Sequence, residues 1–391
     1  MLKVIEDWGV KNIYGLPGGS IDSTMNALYN RKDTLNYIQV RHEEVGALAA
    51  VGEAKVTGEI GVTFGSAGPG AVHLLNGLYD AQYDHVPVLA LVGQVPTSAM
   101  NTNYFQELNE NPMFADVSVY NRTVMTAEQM PAVVDEAIRQ AYAKRGVAVI
   151  TIPKDLGWQE IEDNYISSAN LYQKPLPLEP DSERIQQAWK ILKEAKHPLI
   201  YIGQGTRGAR EEVLALSKML QAPILSSALA KGIVPDNAPA YMGSAGRVAS
   251  KPGVEIASNT DAVLFLGSDM PFQSFFIPED AKYIQVDIDG TKFGRRHQVD
   301  LAILADAKLT IKKLMEIGEQ LPETAWYRAA LADKENWVEW LEKRSLIDSS
   351  PLEVEPVFKA INEMATDDAI FQVDVGNVTI DGMRLLDTSK N

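Results

Sequence analysis

Glu43 sits in the run Arg41-His42-Glu43-Glu44-Val45-Gly46-Ala47, an acid at the mouth of an apolar helical pattern rich in small residues. A carboxyl group held in such a place can give or take a proton, the work of a general acid or base. Acids are also favourable at any helix start, and Glu44 reads as that plainer kind. Further on, Gly65-Ser66-Ala67-Gly68-Pro69-Gly70 follows an apolar run and leads into a second helical pattern. Glycines at such a turn let backbone N–H groups come close to a ligand. Gly15-Leu16-Pro17-Gly18-Gly19 offers the same device earlier in the chain. A third glycine run has Gly203, Gly205 and Gly208 at the spacing of a dinucleotide-binding turn. The strand after it, 223–227, carries no acid to hold a ribose, which demotes a nicotinamide dehydrogenase. The histidines His42, His73, His85, His197 and His297 lack helix-face ligand spacing, and there is no cysteine, so a zinc site is not expected.

These residues need elements to hold them. Apolar runs at 36–40, 61–64, 88–92 and 148–152 read as buried strands, and 43–55, 69–82 and 130–143 as helices. Alternation of this kind implies a parallel sheet covered on both faces. A stretch with Pro175, Pro177 and Pro180 and no helical period reads as an extended connection. A second alternating pattern has strands at 199–202, 262–266, 283–286 and 301–304 and helices at 210–220 and 309–316. A polar helical stretch bearing tryptophans, 324–344, precedes a final helix, 357–364, and a final strand, 369–373. The expected class is α/β: two consecutive parallel-sheet domains plus the start of a third. The divisions are 1–165, a linker 166–181, 182–345, and 351–391. One helix and one strand cannot form a core, so the last segment must pack on something else or belong to a longer parent.

Composition sets outer limits. The chain has 391 residues and a net charge of -16. That charge argues against nucleic acid or an anionic membrane as the main partner. Absence of cysteine excludes disulfides and a thiol nucleophile and is compatible with a reducing cytoplasm. No uncharged apolar run approaches the ~20 residues of a spanning helix.

Together, Gly15-Leu16-Pro17-Gly18-Gly19, His42-Glu43, Gly65 to Gly70 and Phe105-Gln106-Glu107 resemble the pyrimidine-binding domain of the thiamine-diphosphate enzymes. The run Phe105-Gln106-Glu107-Leu108-Asn109-Glu110-Asn111-Pro112 is most similar to that of the pyruvate oxidases. The resemblance implies that Glu43 protonates the aminopyrimidine of thiamine diphosphate, with Gly18, Gly19, Ser66, Gly68, Pro69 and His73 beside the cofactor. Phe105 and Gln106 would lie near the reacting carbon. Gly203, Gly205 and Arg207, then Gly243, Ser244 and Arg247, then Gly267, then Asp287 and Asp289, resemble the central domain of the flavin-bearing members, which implies FAD. The implied activity is oxidative decarboxylation of pyruvate with phosphate and oxygen, giving acetyl phosphate, CO2 and hydrogen peroxide, in a homodimer or homotetramer. Acetolactate synthesis or electron transfer to a quinone are the alternatives. The family holds its diphosphate through Mg2+ with a Gly-Asp-Gly motif, which does not occur in this sequence. Val373-Asp374-Val375-Gly376-Asn377 resembles the opening of that third domain, so residues 351–391 are expected to be its truncated start. On that reading the 391 residues alone do not turn over. A non-catalytic fragment that binds flavin or partner subunits is the reading from another class.

Overall fold

Six runs in the first part of the chain become strands: β1 (Asn12–Gly15), β2 (Asn36–Gln39), β3 (Gly61–Gly65), β4 (Val88–Gln94), β5 (Ser118–Thr123) and β6 (Val147–Pro153). They are parallel, in the order β2-β1-β3-β4-β6-β5. The computed structural model describes residues 1–268 and 277–389, in two compact units, Met1–Pro175 and Leu176–Asn391. β3, β4 and β6 are buried along their whole length, which is why each reads as an unbroken apolar run. The strand at 36–40 was expected to be buried. It is instead the sheet edge, paired only with β1, and Asn36, Ile38 and Gln39 are exposed. β1 and β5 carry too few consecutive apolar residues to stand out.

The first unit's helices are α1 (Leu2–Asp7), α2 (Asp22–Tyr29), α3 (Glu43–Thr57), α4 (Pro69–His73), α5 (Leu75–Tyr83), α6 (Glu110–Met113) and α7 (Met130–Lys144). The helix expected over 69–82 is interrupted at Leu74, whose N–H bonds back to Ala71, three residues earlier. α3 buries Gly46, Ala47, Ala50, Val51 and Ala54, a single helical stripe of small residues. Their size lets backbones meet. A Cβ on Gly77 of α5 would lie 2.6 Å from the Ala47 Cβ, and one on Gly61 of β3 would overlap the Ala50 carbonyl. Asp135 of α7 gathers the unit's two ends. It accepts from Trp8 Nε1 at 2.7 Å, Tyr165 Oη at 3.0 Å, Ser167 Oγ at 3.2 Å and the Ser168 N–H at 3.1 Å. Burial opposes its charge, but these bonds outweigh it and hold the carboxyl below its usual range.

The second unit repeats the plan. β7 (Pro198–Ile202), β8 (Ile224–Ser226), β9 (Tyr241–Ser244), β10 (Ala262–Leu266), β11 (Lys282–Asp287) and β12 (Leu301–Leu304) run parallel in the order β12-β11-β10-β7-β8-β9. Its helices are α8 (Ser182–Glu194), α9 (Arg210–Leu220), α10 (Lys251–Asn259), α11 (Ala307–Ile317), α12 (Ala325–Arg344), α13 (Val354–Met364) and α14 (Asn377–Leu385). Side chains of Asp181, Ser250, Asp306 and Thr324 cap α8, α10, α11 and α12. The strand expected at 369–373 does not form, because no sheet edge pairs with it. The tail is fastened by polar contacts instead. Arg384 Nε donates to the Ala249 carbonyl at 2.9 Å, and Thr388 N–H and Oγ1 donate to Asp236 at 2.8 and 2.7 Å. Among the described residues no helix is long and apolar enough to cross a membrane.

Two glycine substitutions test the packing of α3 with opposite signs. Gly77→Ala should lower first-unit stability by about 1–3 kcal/mol through overpacking against Ala47. Gly52→Ala, inside α3 with nothing within 4 Å of the new methyl, should raise it by about 0.5–1 kcal/mol. Urea unfolding midpoints check both; equal shifts for the two would contradict the packing described.

Candidate active site

β1 and β3 are neighbours, yet the chain leaves β1 for β2 on one side and returns to β3 on the other. The loops beyond them therefore diverge, and open α/β sheets take ligands in the crevice at such a switch point. The loop after β1 carries Gly18 and Gly19, and the loop after β3 carries Ser66, Gly68 and Pro69. They are pinned together by Ser20, whose Oγ lies 2.8 Å from Ser66 Oγ and accepts from the Ala67 N–H at 2.6 Å. A side chain on Gly18 would run into Ser66. Sequence reasoning passed over Ser20, since a serine after two glycines reads as an ordinary turn residue.

α3 enters this crevice from β2 and brings Glu43, which is 7% exposed. His73, on α4, meets it: Nδ1 lies 2.9 Å from Glu43 Oε2. Glu43 Oε1 faces Gly70, where a Cβ would sit 3.0 Å away. One carboxyl oxygen is thus engaged and the other faces Gly70 at the start of α4, which has no side chain. His42 caps α3, its Nδ1 accepting from the Glu44 N–H at 3.3 Å, and its ring stacks on His73 with centres 4.2 Å apart. His42, Glu43 and His73 each bring a potential metal ligand atom within 4.8 Å of the others. The two ring planes differ by only 26°, however, so their in-plane lone pairs run side by side and do not converge on one ion.

Phe105 and Gln106 lie in the loop between β4 and α6. Asn101, Asn103 and Gln106 adopt left-handed backbone there, with φ of 66°, 58° and 65°. Glu107 stitches the loop, accepting from the N–H groups of Asn101 and, at 3.0 Å, Tyr104, and these bonds hold its carboxyl below the usual range. Gln106 lies over Gly68, where a Cβ would be 2.9 Å from the Gln106 carbonyl. Phe105 is 80% exposed, which removes it from the core. Glu110, at the loop's end, is 2% exposed, and neither of its carboxyl oxygens has a hydrogen-bond partner. Burial pushes it up to about 8. Sequence reasoning took it only as part of a family run.

In the second unit the candidate residues fall at the carboxyl ends of the strands. Gly203, Gly205 and Arg207 follow β7, Gly267 follows β10, Asp287 ends β11 with Asp289 beyond it, and Gly243, Ser244 and Arg247 mark the end of β9. β7 and β10 flank this sheet's own switch point. Gly203 and Gly205 also lie against a neighbouring loop. The Gly205 N–H donates to the Gly267 carbonyl at 3.2 Å, and a Cβ on Gly205 would lie 2.7 Å from the Gly267 Cα, so the two strand-end loops touch backbone to backbone. Asp287 is buried and accepts from the Asp289 N–H at 2.9 Å. From β11 to β9 is four strand spacings, about 19 Å. Arg207 and Arg247 are exposed along this row.

Comparison with known proteins identifies both domains. Residues 1–113 match the thiamine pyrophosphate enzyme N-terminal TPP binding domain, and residues 185–314 match the thiamine pyrophosphate enzyme central domain. A pyruvate oxidase of Lactiplantibacillus plantarum is 49% identical, over 99% of this chain and 64% of its own. A putative thiamine pyrophosphate-containing protein of Bacillus subtilis, YdaP, is 40% identical, over 97% of this chain and 66% of its own. An acetolactate synthase of Mycobacterium bovis is 29% identical, over 96% and 62%. The chain thus spans just under two thirds of the length of these relatives. With both domain models matched in order along two α/β units, the chain belongs to the thiamine pyrophosphate enzymes.

Proposed function

We propose that this chain supplies the pyrimidine-side acid and the flavin cradle of a cytoplasmic enzyme that oxidatively decarboxylates pyruvate. Pyruvate, phosphate, oxygen and a proton would become acetyl phosphate, CO2 and hydrogen peroxide. The observation that carries this reading is Glu43: buried at the switch point, one oxygen held by His73 and the other facing Gly70, which has no side chain. Similarity to the Lactiplantibacillus plantarum pyruvate oxidase supports pyruvate as substrate. Acetolactate formation is the second reading, favoured by the more distant synthases at 29% identity.

When bound, thiamine diphosphate supplies the electron sink for decarboxylation, and FAD the acceptor from which oxygen is reduced. Glu43 would hold a proton against a ring nitrogen of the pyrimidine, with His73 fixing its orientation. Gly18, Gly19, Ser66, Gly68 and Pro69 would line the ring's sides, and Gln106 would close the mouth beside Phe105. In the second unit Arg207 and Arg247 would meet a diphosphate as charge-assisted donors, and Asp287 and Asp289 would accept from sugar hydroxyls. The length of that row suits an elongated dinucleotide such as FAD. Mg2+ would hold the thiamine diphosphate, and no residue of this chain is assigned to it. Because the resembling family places thiamine diphosphate between domains of two subunits, the reading includes a homodimer or homotetramer with its active site completed by a second copy.

Glu43→Gln keeps the side chain's size but cannot supply the proton. In the loaded enzyme it should slow exchange of the cofactor's C2 proton, followed by NMR, at least ~10²-fold with flavin content unchanged. Exchange at the wild-type rate would remove Glu43 from the chemistry, and joint loss of flavin and folding would make it a helix-start residue only. For the second unit, added FAD should raise the melting temperature with ligand concentration. Arg247→Ala should weaken that binding by about 1.5–3 kcal/mol. A purified chain that shows no shift at high FAD sinks the flavin assignment.

A further inference from the structure

Glu110 is the one acid of the first unit whose burial has no evident purpose in the chemistry above. It is the first residue of α6, where the Phe105–Gln106 loop returns to the sheet. The ground around it is pinned: Gln94 Nε2 donates to the Leu108 carbonyl at 2.8 Å, and Asn121 Nδ2 to the Asn111 carbonyl at 2.7 Å. Both Glu110 oxygens are nonetheless unpaired, and so is the buried Thr151 hydroxyl of β6, the one polar group that bears on it. Among the described residues no counter-charge faces it. β4 and β6 contain no ionisable residue. β5 has Tyr120 and Arg122, and the Arg122 guanidinium sits 5.2 Å over the Tyr120 ring. Asp116, beyond α6, takes the Tyr79 hydroxyl at 2.9 Å, and Glu136 of α7 is engaged by Arg139 and Gln140. Glu107 is turned toward its own loop backbone.

A lone carboxylate cannot stay in such a place, whereas a neutral carboxyl can. We propose that Glu110 is a proton-operated latch for the loop that carries Phe105 and Gln106. Neutral, it stays inserted beside Thr151; ionised, it must be hydrated, and its withdrawal from the sheet releases the loop. Glu110 is a positioning residue: it touches no ligand and acts through Gln106. The functional consequence rests on the reading of Gln106 as a site residue, but the latch does not.

The sign follows from the direction of the shift. Burial raises the docked carboxyl from 4.5 to about 8. Docking is therefore strongest below the ordinary carboxylate range, weakens as pH rises from there to about 8, and past that point the charged form prevails in the docked loop itself.

Amide hydrogen exchange over residues 101–109 tests this, with wild type and Glu110→Gln compared at equal pH so that intrinsic chemistry cancels. At about pH 4 the two should agree; as pH rises from there the wild-type loop should exchange faster than the variant by roughly tenfold per unit, levelling off at the higher pH, past about 8, where the docked carboxyl is itself charged. An infrared band of a weakly bonded, protonated carboxyl should be present in wild type at about pH 6 and absent from the variant. Parallel loop exchange in the two proteins at the higher pH, or no such band, overturns the proposal. Should Glu110→Gln fail to fold, the wild-type loop is referred to its own β4 amides, and a ratio flat between about pH 5 and pH 8 overturns it equally. Neither measurement uses thiamine diphosphate or pyruvate, so failure of the latch and failure of the proposed reaction are separate results.

Discussion

Much of the first unit depends on how closely three backbones can approach one another. α3 lies against β3 and α5 with glycine or alanine at each contact: Gly46, Ala47 and Ala50 on the helix, Gly61 below it and Gly77 beside it. Small residues bury little side-chain area, so what holds α3 is dispersion across a tight interface more than a large apolar payload. The gain is in position. A helix seated this low delivers its first residue, Glu43, to the crevice between β1 and β3, and α4 can then bring His73 to within a hydrogen bond. Larger residues along the stripe would lift α3 and carry the acid away from the glycine loop it faces.

Both units use the same topological opportunity for different chemistry. Each is a six-stranded parallel sheet with a central reversal of strand order, between β1 and β3 in the first and between β7 and β10 in the second. In the first, the two divergent loops meet through Ser20 and where Gly18 lies against Ser66, beside a single buried acid. In the second, the loops at the reversal touch, and the polar residues are strung along the strand ends from Asp287 to Arg247. A compact site organised around one proton and an extended row of donors and acceptors thus arise from one architecture. Function is set by what the loops carry, not by the sheet.

The sheets were largely legible because fully buried parallel strands leave unbroken apolar runs, as at β3, β4, β6 and β10. Legibility failed where burial is partial. β2 reads as a buried strand from Tyr37, Ile38 and Val40, but its two amide residues suit the edge where it lies, and β5 alternates polar and apolar residues too weakly to register. The run at 369–373 has strand-like residues and no partner, and pairing decides whether a strand exists. Glu43 and the glycine loops were visible because their types are unusual for their positions. The contact with His73 was not, since it joins residues 30 apart through tertiary packing. Glu110 was invisible for the opposite reason: within Asn109-Glu110-Asn111-Pro112 an acid looks like a solvated turn residue, and only the fold shows it turned inward.

The Asp135 cluster gives the first unit a mechanical character. Trp8, just past α1, and residues 165–168, close to the boundary at Pro175, converge on one carboxylate. Tension applied across the two ends of this unit would reach those few hydrogen bonds before it reached the ladder of the parallel sheet. The first rupture under load would be a peeling of two peripheral segments from α7. The strands that frame Glu43 would stay in register until that clasp had gone.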